Sequence, residues 1–171
     1  MILVNHGIDM ISQERLKELF TYDPETGVFV RNINVGNRKV GEVAGTVDKK
    51  TGYRVIQIDG KFYKAHRLAF LYMGQDIPNF VDHINGQQDD NRWENIRPAT
   101  IVQNNQNAKS RKDNSSGVKG VSWCKRERKW VGYVYANGRA VLRKYYKDLT
   151  SAELEVKRVR SEYHGEFVNN G

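Results

Sequence analysis

Apolar positions fall at helical spacing in some stretches of the chain and alternate in others. Leu16, Leu19 and Phe20 form one stripe, and Ser12 stands where a cap belongs, which predicts a helix over 13–20. A turn over 22–27 leads into Val28-Phe29-Val30, which reads as a strand. Residues 31–45, rich in Gly and Asn, give no clear element. Tyr53, Val55 and Ile58 punctuate a second strand, and Asp59-Gly60 signals a hairpin into Lys61-Phe62-Tyr63. Ala65 to Gly74 reads as a short helix ended by glycine. Phe80-Val81 then runs into Asp82-His83, a polar loop over 85–94 and a return strand at Asn95-Ile96-Arg97, which Pro98 is expected to stop. Thr100 opens another helical run through Ile101, Val102 and Asn105.

The pattern changes after a polar, basic stretch at 108–116. Val118–Trp123, Trp130–Tyr135 and Val141–Tyr146 are three short strand candidates, with turns at 125–129 and at Asn137-Gly138. Thr150-Ser151-Ala152-Glu153 has the form of a capping box. It predicts a helix with Ala152, Val156, Val159, Tyr163 and Phe167 inward and Lys157, Arg158 and Arg160 on the other side. The fold class is therefore α+β. It comprises an N-terminal antiparallel sheet with a strand–loop–strand–helix unit over 1–107, a basic linker over 108–116, and a three-stranded sheet with one helix over 117–171.

Charge sharpens this division. Of the 171 residues, 28 are Lys or Arg and 20 are Asp or Glu. Residues 1–107 hold 13 of each sign, whereas 108–171 hold 15 basic and 7 acidic residues, so the whole +8 excess lies in the last third. A basic module beside a neutral one suits a polyanion, with nucleic acid favoured over a membrane surface. No apolar run approaches the roughly 20 residues of a membrane span, and no basic segment followed by a long apolar core marks a signal peptide. An intracellular protein without membrane contact is expected. Cys124, the single cysteine, excludes an internal disulfide and a four-cysteine structural zinc site. No phosphate-cradling glycine loop occurs, so no nucleotide cofactor is expected.

The residue types between 82 and 104 suggest a chemistry. A carboxylate and an amide oxygen are hard ligands suited to Mg²⁺, and an imidazole beside them can take a proton from water near neutral pH. Phosphodiester hydrolysis needs such a base together with a cation. Asp-His alone reads first as ordinary polarity in a hairpin loop. The run Asp82-His83-Ile84-Asn85-Gly86, then Asp90-Asn91-Arg92, Asn95-Ile96-Arg97 and Gln103-Asn104-Asn105, resembles the HNH nucleases of phage and intron-borne, homing type, whose unit is a ββα-metal fold. His83, Asn95 and Asn104 match the family pattern, twelve and nine residues apart. The resemblance implies His83 as general base, Asp82 and Asn104 as ligands of one Mg²⁺ (or Mn²⁺), and Asn95 as a residue fixing the loop at the catalytic site. His66-Arg67 also resembles this branch. Arg67 at a helix start is a candidate for DNA backbone contact; His66 is either a second site residue or a core-satisfying one.

The last third resembles the AP2 family of DNA-binding domains through Gly120-Val121, Trp130, Gly132, Val134 and the closing His164-Gly165-Glu166-Phe167. In that family the open face of the sheet enters the major groove. That implies DNA contacts from Lys119, Trp123, Tyr133 and Tyr135, with Arg126, Arg128, Arg139 and Arg143 as further candidates. Ser122 and Cys124 depart from the family's basic positions, so its base preference does not carry over. Arg97 and the linker cations Lys109, Arg111 and Lys112 complete the set of expected DNA contacts. The expected function is metal-dependent cleavage of double-stranded DNA by a monomer, with residues 1–107 keeping the chemistry when separated. A catalytically silent DNA-binding regulator and an RNA-directed nuclease are the alternatives.

Overall fold

The computed structural model describes residues 11–108 and 114–170. The chain divides into two compact units, 1–98 and 99–171. The linker candidates Lys109, Arg111 and Lys112 lie outside the described residues.

The first unit begins with α1 (Gln13–Leu19), where Ser12 Oγ accepts the Arg15 N–H at 3.1 Å. The antiparallel pair β1 (Phe20–Asp23) and β2 (Val28–Arg31) follows. Next come β3 (Thr46–Val47), β4 (Arg54–Ile58) and β5 (Lys61–Lys64), which form one antiparallel sheet in that order. Helix α2 (Ala65–Tyr72) starts directly after β5, and the pair β6 (Phe80–His83) and β7 (Ile96–Ala99) closes the unit. Leu16, Phe20, Phe29, Ile56, Leu68 and Phe70 are fully buried together. Each such side chain contributes roughly 1.5–3 kcal/mol by leaving water. Their packing sets α2 against the sheet and, through Val81 and Ile96, anchors β6 and β7 to the same core.

Pro98 was expected to end the return strand, yet β7 runs through it to Ala99. The β6–β7 sheet has only two strands, so each has an open edge, and a proline without an N–H is tolerated on an edge.

The 24–27 turn between β1 and β2 grips the 91–93 segment of the loop that joins β6 to β7. Trp93 N–H donates to Pro24 O at 2.9 Å, and the Tyr22 hydroxyl donates to Asn91 O at 2.7 Å. Gly27 has φ +73°, and a Cβ there would stand 2.3 Å from both Arg92 N and Asn91 C. Gly27→Ala is therefore expected to push the turn off the loop and destabilise the unit by about 2–3 kcal/mol, lowering Tm by about 5–10 °C. Thermal denaturation of the variant checks this, and an unchanged Tm would mean that the close approach is not held in solution.

The second unit contains α3 (Ile101–Asn107), β8 (Val121–Cys124), β9 (Lys129–Ala136), β10 (Arg139–Tyr146) and α4 (Leu149–His164). The strands form one antiparallel sheet in the order β10-β9-β8. Helix α4 lies against it through Ala152, Val156 and Val159, which meet Val118, Val121 and Val134. Gly132 lets helix and sheet approach closely, because a Cβ there would fall 2.7 Å from Val156 Cγ2.

Two sequence expectations for α4 are corrected. The cap is Asp148, not Thr150: its carboxylate accepts the Ser151 N–H at 2.7 Å, and Leu149 enters the core. Arg160, expected on the polar side, is 3% exposed, whereas Tyr163 is 47% exposed. Gly165, at φ 54°, ends the helix, and Phe167 is buried from a following 3₁₀ turn.

Candidate active site

The site builds outward from β6. Val81 joins the core, and the strand ends on Asp82 and His83, so that three consecutive residues are buried. Burial of a carboxylate requires compensation. Arg97, across on β7, provides it: Nε donates to Asp82 Oδ2 at 2.9 Å, and Nη2 stands 2.8 Å from the same oxygen in an ion pair. Arg97 was expected to contact DNA. The structure instead turns it inward onto the candidate ligand, with a side chain only 13% exposed.

The loop after β6 is held by its own amides. Asn95 Nδ2 donates to Asn85 Oδ1 at 3.1 Å and to Asp90 O at 2.8 Å, and Asn95 Oδ1 accepts the Asn85 N–H at 3.0 Å. Arg92 donates to both oxygens of Asp90, which also accepts from Asn85, and these bonds hold the Asp90 carboxyl down at about 2. Asn91 is the residue that the sequence reading missed. It is 2% exposed, and its Oδ1 accepts from His83 Nε2–H at 3.3 Å. Its own Nδ2 donates to Asp89 O at 3.0 Å, which fixes the amide's orientation. The signal was present as the Asp90-Asn91-Arg92 triplet, but a loop asparagine is ordinary in sequence, and only the packing of the 24–27 turn buries this one.

A second histidine completes the cluster. His66, at the start of α2, stands edge-on to His83 with ring centroids 5.1 Å apart. Tyr53 contacts both rings, at 5.1 and 5.8 Å, and Lys64 Nζ lies 4.1 Å over the tyrosine. Burial, and then the neighbouring His83, push His66 down to about 3, so it is neutral. Burial also lowers His83, although the Asn91 bond and the carboxylates of Asp82, Asp90 and Asp89 oppose it. His66 Nδ1 is buried without a hydrogen-bond partner. Arg67 is engaged locally: its guanidinium donates to Pro78 O at 3.0 Å and to Asn79 O at 3.4 Å, bracing the entry to β6.

Asn104 lies on α3 in the second unit, half-buried. Helix α3 opens on a full capping box, Thr100 with Gln103. Its last carbonyls are bound by groups from the same unit. Lys119 Nζ donates to Gln106 O at 2.8 Å and also to Ala108 O; Arg160 Nη2 donates to Gln106 O at 3.3 Å; Asn169 Nδ2 donates to Asn107 O at 2.8 Å. Lys119, expected on DNA, thus has its ammonium on the end of α3. The other expected contacts are open to solvent. Trp123, Tyr133 and Tyr135 are 44, 41 and 60% exposed, and Arg126, Arg128, Arg139 and Arg143 are exposed. Tyr133 and Arg143 are cross-strand partners in β9 and β10. Among the described residues, no three His, Cys, Asp or Glu side chains gather as a metal cage.

Comparison with known proteins bears on this arrangement. The family model for HNH endonucleases matches residues 63–106, from β5 to α3. Protein 3.8 of Escherichia phage T7 is 35% identical over 113 residues, which cover 63% of this chain and 93% of that protein. The chain belongs to the HNH endonuclease family. The HNH match contains His66, Asp82, His83, Asn91, Asn95, Arg97 and Asn104, and ends before the β8–β10 sheet. No solved structure matches the chain significantly. Among the described residues no helix is long and apolar enough to cross a membrane.

Proposed function

We propose that this HNH protein is a metal-dependent DNA endonuclease of phage or homing type, which hydrolyses phosphodiester bonds with His83 as general base. The buried Asp82–His83 pair, with its supporting bonds to Arg97 and Asn91, carries this reading. His83 gives its Nε2–H to Asn91, so the neutral ring has its lone pair on Nδ1, the atom that would take a proton from water. Asn91 holds that tautomer and orientation. Asn95 keeps the loop closed, and Arg97 fixes the Asp82 carboxylate. The unpartnered nitrogen of His66, beside His83, leaves one more polar atom to face the reacting groups.

The donor set suits an oxygen-seeking cation that keeps most of its waters, which is how Mg²⁺ is usually held. Asp82 and Asn104 would be its protein ligands, with further oxygens from water and substrate phosphate. When bound, such an ion supplies charge stabilisation at the phosphate and the leaving 3′ oxygen. The second unit would read DNA through the open face of its sheet, as in AP2-like domains, with Tyr133, Tyr135 and Arg143 at base edges. Arg126, Arg128 and Arg139 would lie on phosphates.

Plasmid cleavage tests the proposal. Supercoiled DNA is expected to be nicked or linearised with Mg²⁺ or Mn²⁺, to stay intact in EDTA, and to be cut again once the ion is restored. Cutting that continues undiminished in EDTA would remove the metal-dependent mechanism, and no cutting with any divalent ion would leave a DNA-binding protein.

A further inference from the structure

The second unit has a groove of about 680 Å³ between α3 and the backbone of 119–122 and 133–135. It is lined by Val102, Asn105 and Gln106 from the helix, by Tyr133 and Tyr135 from β9, and by Lys119, Arg160 and His164. Among the described residues, no acidic side chain lines it.

Its cations are not neutralised. Lys119 and Arg160 share Gln106 O, and their other partners among the described residues, Ala108 O and Asn169 O, are also backbone carbonyls. Carbonyls satisfy donors without cancelling charge, and buried charges are normally paired. Lys119 shows the strain, since burial and then the charge of Arg160 lower it to about 8. Donors also remain over. An ammonium has three N–H groups and a guanidinium five. Arg160 Nε is buried without a partner although the residue is only 3% exposed. His164 Nδ1 is also buried without a partner; because Nε2 gives its hydrogen to Tyr135 O at 3.1 Å, the neutral ring keeps a lone pair on Nδ1, an acceptor for a donor on the ligand. Two unpartnered nitrogens and two uncompensated cations thus meet on one concave surface, beside two exposed tyrosine rings and two side-chain amides.

We infer that this groove receives one unpaired nucleotide of a DNA strand, with its phosphate toward Lys119 and Arg160 and its base against Tyr133 and Tyr135. An anion answers the uncompensated charge. An aromatic face answers the tyrosines, because any base can stack on a ring once it leaves its neighbours. The amides of Asn105 and Gln106 offer donors and acceptors to the base edge. The volume lies within the few hundred to roughly 1,000 Å³ of ordinary small-ligand pockets. A duplex cannot enter a one-nucleotide groove, so the nucleotide must be turned out of the helix, which costs least where pairing is already lost. The inference rests on the proposed DNA substrate and adds that the second unit favours locally opened DNA.

The test uses the full chain in EDTA, so that binding is read without cutting. Fluorescence anisotropy compares a short duplex with one bulged thymidine against the same duplex fully paired. The bulged duplex is expected to bind roughly 5- to 100-fold more tightly, as stacking of one base on tyrosine implies. Tyr135→Ala, and Tyr133→Ala with it, should remove that preference, and far-ultraviolet circular dichroism should show the fold retained. With 5-iodouracil at the bulge, irradiation should cross-link Tyr133 or Tyr135, as mapped by mass spectrometry. Equal affinity for the two duplexes overturns the inference, as do cross-links confined to residues outside the groove. Full displacement of the bulged duplex by millimolar inorganic phosphate would also overturn it, because the groove would then hold an anion without reading a base. Plasmid cleavage with Mg²⁺ is measured separately. A bulge preference without cleavage sinks the nuclease reading alone, and cleavage without a bulge preference sinks this inference alone.

Discussion

His83→Ala is expected to cleave plasmid DNA roughly 10²–10⁴-fold more slowly than the native chain. The ring is buried and held by Asn91, so its removal takes away the proposed proton acceptor while the Asp82–Arg97 pair stays in place. Neutral imidazole adds almost nothing to phosphate affinity, so duplex binding measured in EDTA should stay within about twofold, since charge sets that affinity. Asn91→Ala should give a smaller loss of the same kind, because the ring remains but its tautomer and direction are no longer imposed. His83→Ala cutting at the native rate would show that another group takes the proton, with His66 the nearest candidate at 5.1 Å between ring centroids.

Local signals along the chain were legible where the deciding contact is also local. Ser12 caps α1 through a bond three residues away, and Asp59-Gly60 turns the β4–β5 hairpin through the φ values of two adjacent residues. Thr100 opens α3 for the same kind of reason. The caps of α4 show where this fails. Thr150 and Asp148 are both good capping residues, and the choice between them follows from Leu149, which reaches the core only if the helix starts at Asp148. Pro98 reads as a terminator, but its effect depends on whether a strand lies on its open side, which is a fact of sheet topology.

The candidate site divides in the same way. Asp82 and His83 stand out as adjacent functional groups at a strand end. Their partners do not, because Arg97 comes from β7 and Asn91 from a loop buried by a turn more than sixty residues earlier. Sequence pattern sets Arg97 and Lys119 on DNA and Arg160 on the polar side of its helix. It cannot distinguish a cation facing solvent from one that meets a carboxylate fifteen residues away, as Arg97 does, or a helix end fifty-four away, as Arg160 does. Arg126, Arg128, Arg139 and Arg143 are exposed, Arg126 paired with its neighbour Glu127 at 2.8 Å.

Ending the chain at Asn107 is expected to lower cleavage to about 1% of the native rate or less, since misplacing one catalytic group by an ångström can cost about 10²-fold. From sequence, residues 1–107 are expected to retain the chemistry with weak binding and slow, less selective cleavage, everything after them being a reader. The packing of α3 argues otherwise. That helix has seven residues, and isolated helices shorter than about 12–15 residues are marginal in water. Its capping box secures the start, but its final carbonyls at Gln106, Asn107 and Ala108 are bound by Lys119, Arg160 and Asn169, all of which the truncation removes. Asn104, the proposed metal ligand, sits one turn before that end. Hydrogen bonds from charged donors contribute about 1.5–3 kcal/mol each, far more than a short helix holds in reserve. In the full chain, Arg160→Met with Asn169→Ala should lower the cleavage rate by about tenfold or more on the same argument. Arg160→Lys, which keeps a cation for the carbonyls, should recover part of the loss. Hydrogen exchange at the amides of 104–108 reports the cause directly, and should quicken in the double variant while protection in α1 and α2 stays unchanged. Residues 1–107 cutting DNA at the native rate would show that α3 holds itself, and that the second unit contributes only to where the enzyme binds.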